Sequence, residues 1–245
     1  MKVDRKAYER DGYLIIEPGF DTQWLDDVRR ATDEYMEIHG IRDRVDGLVH
    51  SINSVKQLSL FPPVLEALEE LYGEPMHGFQ TLNFKIGTQQ PVHSDTVHFN
   101  TSPAGGMCGV WVALEDVDED QGPLVYYPGS HKMPEYTMKD IETISDDDFD
   151  RSSHESLYKR IGLYEQFIAD RIEEFELEPH YLTCPKGTAL IWASNLWHGG
   201  SPIKREGSTR YSQVTHYFAA DREYHVPLHT THDMVRWKSP NWINW

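Results

Sequence analysis

The sequence predicts a mainly β protein with flanking helices: an antiparallel β core with helices packed on it. Three observations predict it. Up to about residue 75, apolar residues recur at helical spacing between capping signals. From residue 78 onward the apolar segments become short, β-branched or aromatic, and bounded by glycine and proline. No linker and no internal repeat interrupts the 245 residues, so a single domain over 1–245 is expected.

The elements follow in order. Residues 4–10 read as a short helix leading to Gly12, and Tyr13-Leu14-Ile15-Ile16 as a strand. Asp21-Thr22 can cap a helix over residues 23–38, with Trp24, Leu25, Val28, Ala31, Tyr35 and Ile38 on one face and Gly40 at its end. Phe61-Pro62-Pro63 starts another helix, apolar at Val64, Leu65, Leu68 and Leu71 and closed by Gly73 and Pro75. The helical part thus covers about 1–75 and the β core about 76–220, with strands expected near 78–87, 107–114, 123–127, 188–192 and 209–219. Residues 138–175 read as an acidic helical insertion. Its Asp146-Asp147-Asp148 run is read as a solvated loop or helix start.

Composition narrows the function. There are 40 Asp+Glu against 23 Lys+Arg, a formal charge of −17. Nucleic-acid affinity rests on Lys and Arg neutralising phosphates, so a nucleic-acid partner is disfavoured, and so is an anionic membrane. Two cysteines, Cys108 and Cys184, form no Cys-x-x-Cys pattern and no disulfide scaffold. The charged start lacks the apolar stretch of a signal peptide, and no apolar run is long enough to span a bilayer. A cytoplasmic protein, monomeric or homodimeric, acting on a small molecule is expected. The 13 His are about twice what a usage of roughly one in fifty would give, which directs attention to metal ligands.

The informative stretch is Pro91-Val92-His93-Ser94-Asp95-Thr96-Val97-His98-Phe99. On a strand, residues i and i+2 share a face, so His93 and Asp95 would offer an imidazole and a carboxylate to one point. His-x-Asp alone is a weak signal. The second piece runs from Lys186 to Gly200, an apolar strand entering a polar turn that presents His198. Two His and one carboxylate form a facial triad that leaves positions open for a bidentate co-substrate and dioxygen at Fe(II). The third piece is Arg210, twelve residues after His198. Its planar fork matches a co-substrate carboxylate bidentately.

With those residues in place, the chain resembles the phytanoyl-CoA dioxygenase (PhyH) family of Fe(II)/2-oxoglutarate-dependent oxygenases, in the branch that includes ectoine hydroxylase. The likeness runs over nearly all of it. Tyr8-Glu9-Arg10-Asp11-Gly12-Tyr13-Leu14-Ile15, Leu68-Glu69-Glu70-Leu71-Tyr72-Gly73-Glu74-Pro75 and Gln80-Thr81-Leu82-Asn83-Phe84-Lys85 match its early segments. The most specific block is Trp111-Val112-Ala113-Leu114-Glu115-Asp116, Gln121-Gly122-Pro123-Leu124 and Pro128-Gly129-Ser130-His131-Lys132. The resemblance implies a double-stranded β-helix, a cupin-like jelly roll. It implies Fe(II) held by His93, Asp95 and His198, with 2-oxoglutarate and O2 as co-substrates. Arg210 would pair with the distal carboxylate of 2-oxoglutarate, and Asn83 and Gln80 match positions that hold the same molecule. The family often has Ser two residues after the distal His; here that position is Gly200, and Ser201 follows. Halogenating relatives carry Gly or Ala at the place of Asp95, so the carboxylate implies hydroxylation or another oxidation.

His98, Phe99 and Trp111 are candidates for the substrate pocket. His131 is read as a turn histidine, His216 and Tyr217 as core, and Trp237, Trp242 and Trp245 as a packing cluster or subunit contact. A small polar substrate is expected, amino-acid-derived or a specialised metabolite. Scattered Lys and Arg disfavour the phosphates of an acyl-CoA. Two other readings fit: a jelly-roll protein that binds metal or a small molecule without turnover, and a cupin-type metal-dependent hydrolase, which would not need Arg210.

Overall fold

The computed structural model describes residues 3–136, 138–141, 150, 153–219, 222–229 and 235–244. The N-terminal helices start and stop where local chemistry dictates. Asp4 caps α1 (Arg5–Asp11) by accepting the Ala7 N–H, and Gly12 ends it in a left-handed conformation. Asp21 caps α2 (Thr22–His39) through the Trp24 N–H, and Gly40 closes it the same way. The buried stripe of α2 is Leu25, Val28, Thr32 and Met36. Ile38, expected on that face, points to solvent at 80% exposure. Two short elements were not foreseen: α3 (Asn53–Ser59), and the strand β2 (Arg44–Asp46). α4 (Pro62–Tyr72) starts on its two prolines and buries Val64, Ala67, Leu68 and Leu71.

These helices cover one face of a six-stranded antiparallel sheet. Its strands are β1 (Tyr13–Ile16), β2, β3 (Met76–Phe84), β5 (Met107–Ala113), β8 (Ala189–Ala193) and β10 (Ser212–Ala219), in the order β1-β8-β5-β10-β3-β2. Strand parity divides the core. Cys108, Val110, Val112, Ala189, Ile191 and Tyr217 pack toward the helices. Trp111, Ala113, Leu190, Trp192 and Val214 face the other way, against Leu124 and Tyr126. Full burial of a large apolar side chain such as these contributes about 1.5–3 kcal/mol, so both layers stabilise the sheet.

The opposing wall is a three-stranded sheet of β6 (Leu124–Tyr126), β7 (His180–Tyr181) and β9 (His198–Gly200), with β6 in the middle. β4 (Asn100–Ser102) and β11 (Glu223–His225) form a separate pair. Facing antiparallel sheets around one core make this a double-stranded β-helix. In the insertion, α5 (Met138–Ile141) is followed by α6 (His154–Glu174), whose Tyr164 and Ile168 pack with Val97, Trp197 and Leu228. Asp146-Asp147-Asp148 lies outside the described residues. Trp242 joins the Phe79, Met107 and Phe218 cluster, and Trp237 meets the His225 ring edge-on at 4.8 Å; Trp245 lies outside the described residues. No helix among the described residues is long and apolar enough to cross a membrane.

One glycine of β5 tests this packing. A Cβ on Gly109 would lie 2.2 Å from the Trp192 ring, whereas one on Gly162, in α6, would meet nothing within 4 Å. Gly109→Ala is expected to destabilise by about 1–3 kcal/mol through overpacking. Gly162→Ala is expected to stabilise by up to about 1 kcal/mol through helix propensity. Urea unfolding of the two variants checks this; equal midpoints would contradict the packing described.

Candidate metal centre

His93 and His198 are brought together by pairing. The two residues form an isolated antiparallel bridge, each N–H donating to the other's carbonyl at 2.9 Å. Their rings lie 4.7 Å apart. Asp95 is not in a regular strand, as its spacing suggested; it opens a short 3-10 turn, Asp95–Val97. Ser94 between them is extended, so His93 and Asp95 still project to one side. The Ser94 side chain caps the turn through the Thr96 N–H, and its own N–H donates to the Tyr164 hydroxyl at 3.2 Å. The insertion helix therefore braces the loop that carries the carboxylate.

His93, Asp95 and His198 offer ligand atoms within 4.8 Å of one another, all buried. Asp95 Oδ1 is 3.8 Å from Nε2 of His93 and 3.8 Å from Nε2 of His198. Nδ1 of His93 meets the Pro91 carbonyl at 2.9 Å, and Nδ1 of His198 meets the Leu196 carbonyl at 2.9 Å. A carbonyl only accepts, so both Nδ1 atoms carry the hydrogen and both Nε2 lone pairs face the carboxylate oxygen. Burial pushes the His93 imidazole down to about 3, helped by His198, so it is neutral and able to ligate. Burial works to raise the Asp95 carboxyl, but the surrounding imidazoles of His198, His216 and His93 hold it below its ordinary value. A neutral imidazole pair with one ionised carboxylate is the donor set of non-haem Fe(II).

A narrow cavity runs from this cluster between the two sheets. Leu82, Phe84, Trp111, Leu124 and Val214 line it, and Arg210 lies at its wall. Arg210 is 2% exposed. Its Nη1 donates to the Gly122 carbonyl at 2.8 Å, while its Nε has no partner. Burial lowers its pKa to about 10. Its backbone is held by the Lys85 carbonyl at 2.9 Å, and the next N–H, of Tyr211, by the Glu115 carboxylate at 2.7 Å. The indole N–H of Trp111, a residue 1% exposed, also lacks a partner. A buried guanidinium and an indole donor with unmet capacity fit a carboxylate-bearing co-substrate beside the metal ligands.

Other expected residues lie elsewhere. Asn83 pairs with Gln213 across β3 and β10, and its amide donates to the Gln213 side chain at 3.0 Å. Gln213 in turn donates to the Val55 carbonyl on α3 at 3.1 Å. Strand parity therefore turns Asn83 to the helix layer, away from the cavity, and the co-substrate role expected of it is corrected. Ser201 donates its hydroxyl to the Pro123 carbonyl at 2.7 Å and is not among the cavity residues, which also corrects its expected role. A serine at Gly200 has no room, since a Cβ there would lie 2.7 Å from the Gln89 nitrogen. Gln80 contacts not the cavity wall but His216, with Oε1 3.2 Å from its Nδ1. His98 lies at 6.0 Å, ring to ring, from His93, and Phe99 at 5.6 Å from His216. His131 contacts the Glu9 carbonyl through Nε2 at 3.2 Å and serves the turn, as expected. Two residues beside Asp95 were not singled out as site residues: Trp192, whose indole donates to Oδ2 at 2.8 Å, and His216, whose Nε2 is 3.6 Å from Oδ2. His216 stands six residues after Arg210, the parity that puts both on the cavity side.

The model of the phytanoyl-CoA dioxygenase (PhyH) family matches residues 8–211. A probable phytanoyl-CoA dioxygenase of Caenorhabditis elegans is 29% identical over 166 residues, 52% of this chain and 52% of that protein. The chain spans about half the length or less of the first curated relatives it matches. Among solved structures, the non-haem α-ketoglutarate-dependent carbocyclase SnoK from nogalamycin biosynthesis superposes with a TM-score of 0.68 at 18% identity, covering 90% of this chain and 84% of its own. EctD from S. alaskensis with bound Fe gives a TM-score of 0.66 at 16% identity, covering 91% of this chain and 78% of its own. At these identities the structures show a shared fold.

Proposed function

The chain belongs to the phytanoyl-CoA dioxygenase (PhyH) family of Fe(II)/2-oxoglutarate-dependent oxygenases, and on that premise we propose that it hydroxylates an unactivated C–H of a small polar metabolite. The reaction consumes 2-oxoglutarate and O2 and releases succinate and CO2. The observation that carries this reading is one cavity holding both the His93, Asp95 and His198 cluster and an arginine without a carboxylate partner. A metal-dependent hydrolase would leave Arg210 without use, and a protein that only stores metal would need no such cavity.

When bound, iron and 2-oxoglutarate together supply the activation of dioxygen and the oxidising power. The chain supplies position. His93 and His198 present neutral Nε2 atoms because the Pro91 and Leu196 carbonyls hold their Nδ1 hydrogens. Arg210 pairs with the distal carboxylate of 2-oxoglutarate, and the Trp111 N–H donates within the same cavity. Leu82, Phe84, Leu124 and Val214 keep water from that carboxylate. His98 and Phe99, which follow the ligand loop, border the substrate. The net charge of −17 supports an amino-acid-derived or other specialised metabolite over a coenzyme A ester. The carbocyclase activity named for SnoK marks ring closure as the alternative outcome of the same hydrogen abstraction.

The test is succinate release with Fe(II), ascorbate and 2-oxoglutarate, screened against a metabolite extract with mass detection. A product one oxygen atom heavier than a consumed metabolite is expected. No turnover in any pool, together with no uncoupled decarboxylation of 2-oxoglutarate, overturns the oxygenase reading.

A further inference from the structure

Four side-chain positions lie in one row across four adjacent strands behind the metal carboxylate. Gly109 of β5 pairs with Trp192 of β8 on one side and with His216 of β10 on the other. His216 pairs in turn with Gln80 of β3. The absence of a side chain at Gly109 leaves a trough in the sheet. The Trp192 indole lies across it, so close that a Cβ would overlap the ring at 2.2 Å. The rings of Trp192 and His216 meet edge-on, 6.3 Å apart at 87°. The Asp95 carboxylate enters between them from the opposite wall.

The two carboxylate oxygens are thereby made unequal. Oδ1 faces the Nε2 atoms of His93 and His198, each at 3.8 Å. Oδ2 accepts the Trp192 indole N–H at 2.8 Å and lies 3.6 Å from His216 Nε2. An ionised carboxylate only accepts, so the neighbour that suits Oδ2 is an imidazole with its hydrogen on Nε2. That tautomer leaves Nδ1 to accept the Gln80 amide N–H; the amide oxygen and nitrogen exchange places by a half-turn of the side chain.

We propose that Trp192 and His216, with Gly109 making room and Gln80 orienting the imidazole, are positioning residues that hold Asp95 by Oδ2, so that it binds the metal through Oδ1 alone. A carboxylate free to turn offers both oxygens and closes one of the positions that a bidentate co-substrate and dioxygen need. The row thus keeps the coordination sphere open from behind the ligand. The proposal rests on the metal-binding reading of His93, Asp95 and His198.

The experiment measures Co(II) binding to the full chain by titration and by its visible absorption spectrum, without 2-oxoglutarate. Trp192→Phe keeps the ring and removes the N–H. It is expected to weaken Co(II) roughly ten-fold or more, the range seen when a group supporting a metal ligand is removed, and to shift the ligand-field bands as the carboxylate mode changes. His216→Leu is expected to do the same, with His216→Gln, which restores a donor near the Nε2 position, returning affinity toward wild type. Wild-type affinity and spectrum in both Trp192→Phe and His216→Leu overturn the proposal. Equal loss in His216→Leu and His216→Gln overturns the part given to the imidazole, and that pair decides the matter if Trp192→Phe does not fold. Should the wild-type chain bind no Co(II) at all, the metal site itself is refuted and the row with it, an outcome distinct from wild-type binding with unaffected variants.

Discussion

Replacing Arg210 with leucine is expected to remove most of the affinity for 2-oxoglutarate while leaving the unliganded protein as stable as before or more so. The two halves of this result have one cause. Arg210 is 2% exposed, and no carboxylate among the described residues is paired with it. Only the Gly122 carbonyl, at 2.8 Å, takes one of its donors, and the Phe84 ring lies 5.9 Å from the guanidinium carbon. Burial alone lowers its pKa to about 10, which means that the folded protein bears a desolvation cost for this charge. Leucine removes that cost. Exchanging a buried ionic group for a packed apolar one is neutral or stabilising by about 1–4 kcal/mol, set against about 1 kcal/mol for the hydrogen bond lost at Gly122.

For the co-substrate the balance reverses. A dicarboxylate drawn into the cavity would leave its distal carboxylate buried and unpaired. Truncating one side of such a pair costs about 2–5 kcal/mol, or roughly thirty-fold to several thousand-fold in Kd. Calorimetry of 2-oxoglutarate binding, with the metal present, and thermal unfolding of the metal-free protein measure the two halves. Unchanged 2-oxoglutarate affinity sinks the anchor assignment. A large loss of stability in the metal-free variant would show that Arg210 is a structural cation.

How far the sequence reached follows from how local each signal is. Caps and stops are written within a few residues, so Asp21, Gly40, Pro62 and Gly73 marked helix ends that the structure has. Long apolar strands such as Met107–Ala113 were legible for the same reason. Strands of two or three residues, β2, β4, β7, β9 and β11, carry too little periodicity to be seen. Polar residues buried in a core face defeat hydrophobic patterning: fully buried Thr32 completes the stripe of α2, while apolar Ile38 stands in solvent. The candidate ligands were readable as residue types, but their meeting depends on the His93–His198 bridge, which no local pattern encodes. Asn83 was misjudged because its direction is set by strand parity relative to a partner strand 130 residues away. The same parity, counted from Arg210 in steps of two, would have pointed to His216. The row that joins Trp192, Gly109, His216 and Gln80 exists only once four strands are in register.

Replacing His198 with alanine is expected to abolish metal-dependent stabilisation and all turnover while leaving a folded protein. His198 contributes one of three ligand atoms, and Asp95 Oδ1 stands 3.8 Å from it. With His93 and Asp95 alone, the variant keeps two donors and has lost one arm of the face that holds the ion. The metal-free fold loses less. The Nδ1 contact to the Leu196 carbonyl at 2.9 Å and the packing against the Trp192 ring at 4.8 Å disappear, which together cost about 1–3 kcal/mol. The bridge to His93 is made by backbone atoms and survives the substitution. A ligand that binds only the folded state stabilises it by about 2.7 kcal/mol at one hundred times its Kd. The wild-type chain should therefore melt at a higher temperature with excess Co(II) or anaerobic Fe(II) than without. The alanine variant should melt at one temperature in both conditions, a few degrees below the metal-free wild type. A metal-dependent shift in the variant equal to that of the wild type would place the ion elsewhere. Loss of the shift with Arg210→Leu retaining it in full would separate the metal ligands from the co-substrate anchor, two roles that the cavity joins but that different strands, β9 and the approach to β10, supply.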